Sequence, residues 1–365
     1  MLRDIRGVIE LQPNWTSDNT PEMRERGLLV RRNIPESIRK LSAKLSERIG
    51  IPENDFGVEG RDGTGRKTEV PWVRYYSKSR SPHATDGWYC VLLFDALGSG
   101  VYLSVGHGST TWTGTDFVQK PSGELARMVG WGRERLSNFT DDEPSLFDEI
   151  HLESRGYLGQ AYERSTVAAK FYSSDDLTDL EQFGRDLELF ASMLGTIYRA
   201  TALTTPPGET PPEVVEVRES ASASAGKPNS RSSGAGFQPN AVQRKAIENR
   251  AMTLAKQKLQ ELGYTHITDT SRNRPYDYEC VGPQGKITIE VKGTSSDGSS
   301  FPLTEGEVRH NRDVYPNNGL IVVSGMSLRS QDSDEITGGS AESFIPWDLS
   351  DGQLAVVSYI YRSLR

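Results

Sequence analysis

Tyr276-Asp277-Tyr278-Glu279-Cys280, the turn Gly282-Pro283-Gln284-Gly285, and Lys286-Ile287-Thr288-Ile289-Glu290-Val291-Lys292-Gly293 decide how the C-terminal part of this chain is read. Side chains alternate along a strand. Ile287, Ile289 and Val291 therefore go to one face, into a core, and Thr288, Glu290 and Lys292 go to the other. An acid and a base stand side by side on that second face. The turn length predicts a hairpin with Cys280 opposite Ile287, and Asp277 then falls opposite Glu290. Two carboxylates come close enough to share a divalent cation, with Lys292 beside them. Glu279 reads as a neighbour rather than a ligand.

Phosphodiester hydrolysis needs such a set. Mg²⁺ takes oxygen ligands, uses one or two carboxylates, and leaves positions for water and the scissile phosphate. The metal polarises the phosphate and acidifies a water. Lys292 would orient or deprotonate that water and offset charge building on phosphorus. A lone Glu-x-Lys on a strand is usually a solvated face. Here the upstream aspartate, the hairpin spacing and the flanking helices all agree with a site.

Upstream of the hairpin, residues 241–262 predict a helix. Ile247, Ala251, Leu254, Leu259 and Leu262 form its apolar face, Asn240 and Gln243 resemble a capping box, and Gly263 is a stop. Downstream, Thr304 and Glu307 read as a second capping box, and Leu320 to Ser324 is apolar enough for a buried central strand. Helix, strand, strand, helix, strand is an α/β layer order, expected here around a central mixed sheet.

Asp277 followed by Glu290-Val291-Lys292 resembles the PD-(D/E)XK nuclease superfamily, over roughly residues 240–324. The resemblance implies that Asp277, Glu290 and Lys292 are catalytic and that Asp277 and Glu290 hold Mg²⁺. It also implies a further catalytic glutamate on the preceding helix, matched by Glu248. Tyr276 stands where the superfamily's name has proline. More narrowly, Glu290-Val291-Lys292-Gly293-Thr294 followed by Pro302-Leu303-Thr304-Glu305-Gly306-Glu307 is similar to a nuclease-like domain often found at the C-terminus of DNA-handling proteins.

Between the two ends of the chain, Thr204 to Asn240 opens with Thr204-Thr205-Pro206-Pro207 and continues into Ser- and Gly-rich sequence. Such segments bury too little apolar surface to offset their ordering entropy. They read as a flexible linker over 204–240, stiffer first and looser later, between domains at 1–203 and 241–365. The N-terminal domain reads as α+β. Pro35 to Gly50 predicts a helix through Ile38, Leu41, Leu45 and Ile49. Val70 to Tyr76, Trp88 to Phe94 and Val101 to Val105 predict strands, the last two joined by Leu97-Gly98-Ser99-Gly100. Leu180 to Ala202 predicts another helix. Trp88 and Phe94 are expected in the core. His107 reads as a loop histidine without a catalytic role, since nothing lies at metal or triad spacing from it.

Arg61, Arg66, Lys67, Arg74, Lys78 and Arg80 face only Asp62 and Glu69 within one short stretch. Basic side chains interleaved with aromatic ones suit phosphate contacts and base stacking, so Arg66, Lys67 and Arg74 are candidate DNA contacts. The order of segments resembles the N-terminal DNA-binding domain of the McrB restriction proteins, over roughly residues 20–200 and most closely from Gly63 to Ser104. The resemblance implies double-stranded DNA as partner and recognition of a modified, methylated cytosine flipped into a pocket. By motif that pocket is lined by Trp72, Tyr89 and Leu93. Thr64 matches a position that is aromatic in McrB itself, which leaves the identity of the base open.

The 365 residues suggest two domains of ordinary size. With 35% hydrophobic and 25% charged residues the chain can build two modest cores in water. No apolar run approaches the roughly 20 residues of a membrane span, and the first residues carry no signal peptide. Cys90 and Cys280 lie far apart in apolar, strand-like surroundings and read as buried thiols. A cytoplasmic location follows. The net charge of -8 argues against coating nucleic acid through bulk positive charge, while leaving room for a local basic patch. No Gly-x-x-x-x-Gly-Lys-Ser/Thr occurs, so no nucleotide triphosphate is expected to be required. One nuclease constellation per chain predicts a homodimer on DNA for a double-strand cut. The expected function is a Mg²⁺-dependent, type IV-like restriction endonuclease acting on modified DNA. The alternatives are an endonuclease reading unmodified sequence and a DNA-binding protein with an inactive nuclease fold.

Overall fold

A computed structural model of the chain describes residues 1–63, 65–114, 116–142, 145–224, 237, 239–283, 285–331 and 333–357. They divide into two compact units, Met1–Ala200 and the chain from Thr201 onward.

The first unit runs α1 (Leu2–Leu11), α2 (Pro21–Leu28), α3 (Ile34–Arg39), α4 (Ser42–Ile49), β1 (Phe56–Arg61), β2 (Trp72–Ser77), β3 (Trp88–Phe94) and β4 (Gly100–His107). It continues with β5 (Thr110–Trp112), β6 (Phe117–Gln119), α5 (Ser122–Asp142), α6 (Tyr157–Arg164), β7 (Thr166–Ser173) and α7 (Leu180–Thr201). Strands β1-β2-β3-β4-β7 form one antiparallel sheet, and β5 and β6 pair as a separate ribbon. Alternation sorts the sheet into two apolar layers. Val73, Tyr75, Trp88, Cys90, Leu92, Phe94, Val101, Leu103 and Val105 pack with the helices in the main core. Tyr89, Val91 and Leu93 face the other way, with Val70, Ile150, Leu152 and Ala169. β3 is buried along its whole length, which is why Trp88 to Phe94 is a continuous apolar run. Trp88 and Phe94 lie in the core as expected.

The helix expected over 35–50 is two helices. Leu41, at φ -100° and ψ 8°, leaves α geometry, and its N–H donates to Ile38 O at 2.9 Å in a tightened turn. Ile38, Leu45 and Ile49 still reach the core. His107 is also corrected. It closes β4 rather than sitting in a loop, and it is buried.

The second unit contains α8 (Pro212–Ser224), α9 (Ala241–Glu261), β8 (Thr265–Asp269), β9 (Tyr278–Gly282), β10 (Gly285–Gly293), α10 (Glu305–Val314), β11 (Asn318–Leu328) and β12 (Ile336–Phe344). The sheet order is β12-β11-β10-β9-β8. β10 and β11 are parallel and the other neighbours antiparallel, which makes a mixed sheet. A parallel pair needs a crossover, and α10 supplies it. Ile247, Ala251, Ala255 and Leu259 of α9 pack on Ile287, Ile289, Val291, Ile321 and Val323. α10 lies on the other face of β10, through Thr288 and Lys292. Both expected capping boxes are present, Asn240 with Gln243 and Thr304 with Glu307.

The segment read as linker holds structure in its first part. Thr204 Oγ1 donates to Ser295 O at 2.7 Å, Thr205 Oγ1 bonds Ser295 Oγ at 2.9 Å, and both residues are buried. The hydroxyls satisfy polar groups at the end of the sheet, which composition does not reveal. Pro212 opens α8 at a first-turn position, where a missing N–H costs nothing. Residues 225–236 and 238 of this segment lie outside the described residues. No described helix is long and apolar enough to cross a membrane.

Candidate active site and candidate nucleic-acid face

The hairpin register is the expected one. Cys280 pairs with Ile287 and Tyr278 with Ile289. Asp277, one residue before β9, comes level with Glu290. Its N–H donates to Ile289 O at 2.9 Å and its Oδ2 accepts from Val291 N at 2.8 Å. Lys292 Nζ sits 2.7 Å from Glu290 Oε1 and 2.9 Å from Glu307 Oε2. The same Glu307 oxygen accepts from Thr304 N at 2.9 Å as part of the cap. Glu307 therefore joins the site, although the sequence reading gave it only a capping role. The signal was present in outline, because a crossover helix beginning after β10 must cover the face that carries Glu290 and Lys292. Glu279 pairs with Lys286 at 2.8 Å, apart from this group, as expected of a neighbour.

Burial pushes the Glu290 carboxyl up to about 8, opposed by Lys292 and reinforced by Asp277 and Glu307. Burial also raises Asp277, against the pull of the Val291 N–H and Lys292. Desolvation works against the charge on Lys292, but Glu290 and Glu307 outweigh it and its proton is held more tightly than usual. A raised glutamate and a raised lysine in one ion pair are compatible if Lys292 stays charged while the crowded carboxylates retain a proton among them. Among the described residues no three or more His, Cys, Asp or Glu side chains are grouped as a metal cage. Asp277 and Glu290 are two, which is the number Mg²⁺ commonly takes from protein while keeping waters. Each is destabilised as an anion by burial and by adjacent carboxylates, and a divalent cation would relieve both. The donor set thus fits Mg²⁺ and does not fit a closed four-ligand site.

Asp277 and Glu248 line one cavity of about 790 Å³, beside α9. Glu248 is exposed and held by Lys245 at 2.6 Å, with no hydrogen bond to Asp277 or Glu290. Glu290 and Glu307 line a narrower cleft with Thr288, Tyr276 and His310. His310 shares a hydrogen bond with Thr288 Oγ1 at 3.0 Å and stacks on Tyr276 at 4.6 Å between centroids, and burial lowers its pKa. Sequence reasoning missed His310, which reaches the site only through the packing of α10. Cys280 and Cys90 are buried and free, as expected.

In the first unit Trp72 pairs directly with Leu93. Tyr89 lies on the same face, and its OH donates to Ala84 O at 3.0 Å. Tyr89 and Leu93 are buried in the smaller apolar layer, while Trp72 is half-buried at its edge. Arg74 is on this face too but is not free for phosphate. It is 1% exposed, lies 3.7 Å over the Tyr76 ring, and bonds Glu59 at 2.7 Å and Ser81 Oγ at 2.8 Å. Lys67 is likewise turned inward, 2.6 Å from Asp62. Asp62 also receives Arg26 at 2.7 Å, and both of those side chains are fully buried. Only Arg66 of the three candidate DNA cations is exposed. Thr64 lies outside the described residues. The flanking Gly63 and Gly65 have φ of 98° and 79°, a backbone region that favours glycine. His107 Nε2 has no partner among the described residues, and burial pushes the imidazole down to about 3, so it is neutral.

Residues 11–199 match the family described as MrcB-like, N-terminal domain. Residues 247–335 match the family described as Protein NO VEIN, C-terminal. No curated protein and no solved structure matches the chain.

Proposed function

This chain belongs to the MrcB-like N-terminal domain family, and from that premise we propose that it is a modification-dependent DNA endonuclease of the restriction type. Its first unit would recognise a modified, methylated cytosine by base flipping. Its second unit would hydrolyse phosphodiester bonds, as a PD-(D/E)XK-type nuclease in the cytoplasm. The observation that carries the reading is the meeting of Asp277, Glu290 and Lys292 on one edge of the β9–β10 hairpin, joined to a unit of a DNA-restriction-related family. Mg²⁺ held by Asp277 and Glu290 would supply polarisation of the scissile phosphate. Lys292, fixed between Glu290 and Glu307 and kept charged by them, stabilises negative charge on phosphorus. That charge state favours electrostatic stabilisation over proton abstraction for its Nζ. Glu307 positions Lys292 from the first turn of α10, and Glu248 presents a further carboxylate to the cavity that Asp277 enters. No nucleotide is required in this scheme.

A flipped base would need Trp72 at the rim, with Tyr89 and Leu93 yielding space below it. Their burial favours one second reading, in which the first unit reads DNA without accepting a base into the sheet. For double-strand cleavage two chains would act together on DNA, since each supplies one constellation. The rate would then rise more than linearly with enzyme concentration. The test is digestion of matched duplexes with and without modified cytosine, with Mg²⁺ and no nucleotide, by wild type, Asp277→Ala and Glu290→Ala. Cleavage of modified DNA only, lost in both variants while DNA binding persists, is the expected result. Cleavage by either variant at the wild-type rate would refute the site. Equal cleavage of both duplexes would move the reading to the second one.

A further inference from the structure

The core stripe of α9, through Ile247, Ala251, Ala255 and Leu259, is fully used by the sheet. A second stripe, at 245, 249, 253 and 256, keeps helical spacing and is polar, Lys245-Asn249-Thr253-Lys256. A solvated helix face is ordinarily convex and open to water. This one instead lines the 790 Å³ cavity, together with Asp269, Ser271 and Arg272 of the following turn and with Asp277.

The helix and the turn each bring cations to the cavity. Lys245 is held by Glu248. Lys256 and Arg272 have no ion pair or hydrogen bond among the described residues, and Asp269 is engaged by Ser271, whose N and Oγ donate to its Oδ1 at 3.0 and 2.7 Å. Arg272 is not on a loose loop. Thr270 N donates to Asp277 O at 2.8 Å and Thr270 Oγ1 to Tyr276 O at 3.0 Å, so the turn and the Asp277 backbone form one bonded piece. The backbone that carries Arg272 is thereby tied to that of the carboxylate.

We propose that this cleft is the track along which a DNA strand's phosphates run to Asp277, with Lys256 and Arg272 binding phosphates from the helix and the turn. The proposal rests on the nuclease reading. It adds two positioning residues that neither the motif nor the metal requires. Two unpaired cations facing a polar trough suit a regularly charged strand. Asn249, Thr253 and Gln257 can bond sugar or phosphate oxygens without reading sequence.

The experiment uses the full chain and a modified-cytosine duplex. Affinity is measured against salt concentration in EDTA, and single-turnover cleavage is then measured with Mg²⁺. Each phosphate contact contributes a salt slope of about 0.9, or about fivefold in affinity at 0.15 M salt. Lys256→Ala/Arg272→Ala is expected to weaken binding roughly 30-fold and to lower the slope by about 1.8. At subsaturating enzyme its cleavage rate should fall in step with the lost affinity. Lys256→Arg/Arg272→Lys should restore the slope, and Lys258→Ala, off the cleft on the same helix, should leave it unchanged. An unchanged slope in the double alanine variant would overturn the proposal, as would an equal loss in Lys258→Ala. If wild type fails to cut while the double variant still lowers the slope, the nuclease reading falls and the strand track stands.

Discussion

Replacing Arg26 tests whether the segment from Asp62 to Trp72 is held from inside. Arg26 is fully buried and donates to Asp62 at 2.8 Å, to Gln12 Oε1 at 2.5 Å and to Thr68 O at 2.9 Å. Asp62 has no exposed surface and keeps Lys67 at 2.6 Å as its other close cation, with Arg31 at 3.5 Å. Burial lowers the Arg26 pKa, but Asp62 works to keep the guanidinium charged. Removing one partner of a buried pair costs about 3–5 kcal/mol. Lys67 still compensates Asp62, so Arg26→Ala is expected near the lower end, about 3 kcal/mol. For a unit of about 200 residues that corresponds to a Tm lower by roughly 6–12 °C. Calorimetry on the full chain should show the drop in the transition of the first unit. Arg26→Ala/Asp62→Ala should cost less than the two single changes combined, with a coupling of about 1.5 kcal/mol or more. DNA affinity should fall as well, because the anchored segment carries Arg66 to solvent and ends beside Trp72. A cost within about 0.5 kcal/mol for Arg26→Ala, or simple additivity, would refute the buried ion cluster as the anchor.

Lys292→Ala should lower the single-turnover rate about 10²–10³-fold with little change in Mg²⁺ affinity, since in the proposed mechanism Lys292 acts on the phosphate rather than on the cation. Loss of metal binding with full single-turnover chemistry would contradict that division. Glu290 has a folded pKa of about 8 against an ordinary 4.5. Its contribution to stability is therefore present below pH 4.5 and lost as pH rises through 8, at up to about 1.4 kcal/mol per unit. In EDTA the second unit should lose stability from pH 5 to pH 8, Mg²⁺ should reverse the loss, and Glu290→Gln should flatten the profile. A flat wild-type profile would argue against a proton held there. His107 has the opposite sign, with a folded pKa of about 3 against 6.5. Stability is complete above pH 6.5 and falls as pH drops toward 3, by about 3 kcal/mol at pH 4.5. The difference in unfolding free energy between wild type and His107→Gln should narrow over that range, and a constant difference would exclude the buried neutral imidazole.

What the sequence determined by itself was local. The alternation of Ile287, Ile289 and Val291 with Thr288, Glu290 and Lys292 is a property of one strand, and the hairpin turn fixed the register that brings Asp277 to Glu290. The two capping boxes and the wholly buried strand Trp88–Phe94 are likewise written within a few residues. Tertiary structure decided what depends on partners distant in sequence. The parallel β10–β11 pairing brings α10 back over Lys292, and only then do Glu307 and His310 meet the site. Composition grouped Arg66, Lys67 and Arg74 as one basic stretch. Whether each cation faced water depended on the buried Asp62 and the half-buried Glu59, and two of the three turned inward. Proline and serine content marked 204–240 as linker, yet Thr204 and Thr205 found carbonyl and hydroxyl partners about 90 residues away, at Ser295. A strand's period and a helix cap need only their own neighbours. A charge's orientation and a loop's order depend on which distant groups desolvate and bond it, and that is settled when the layers pack.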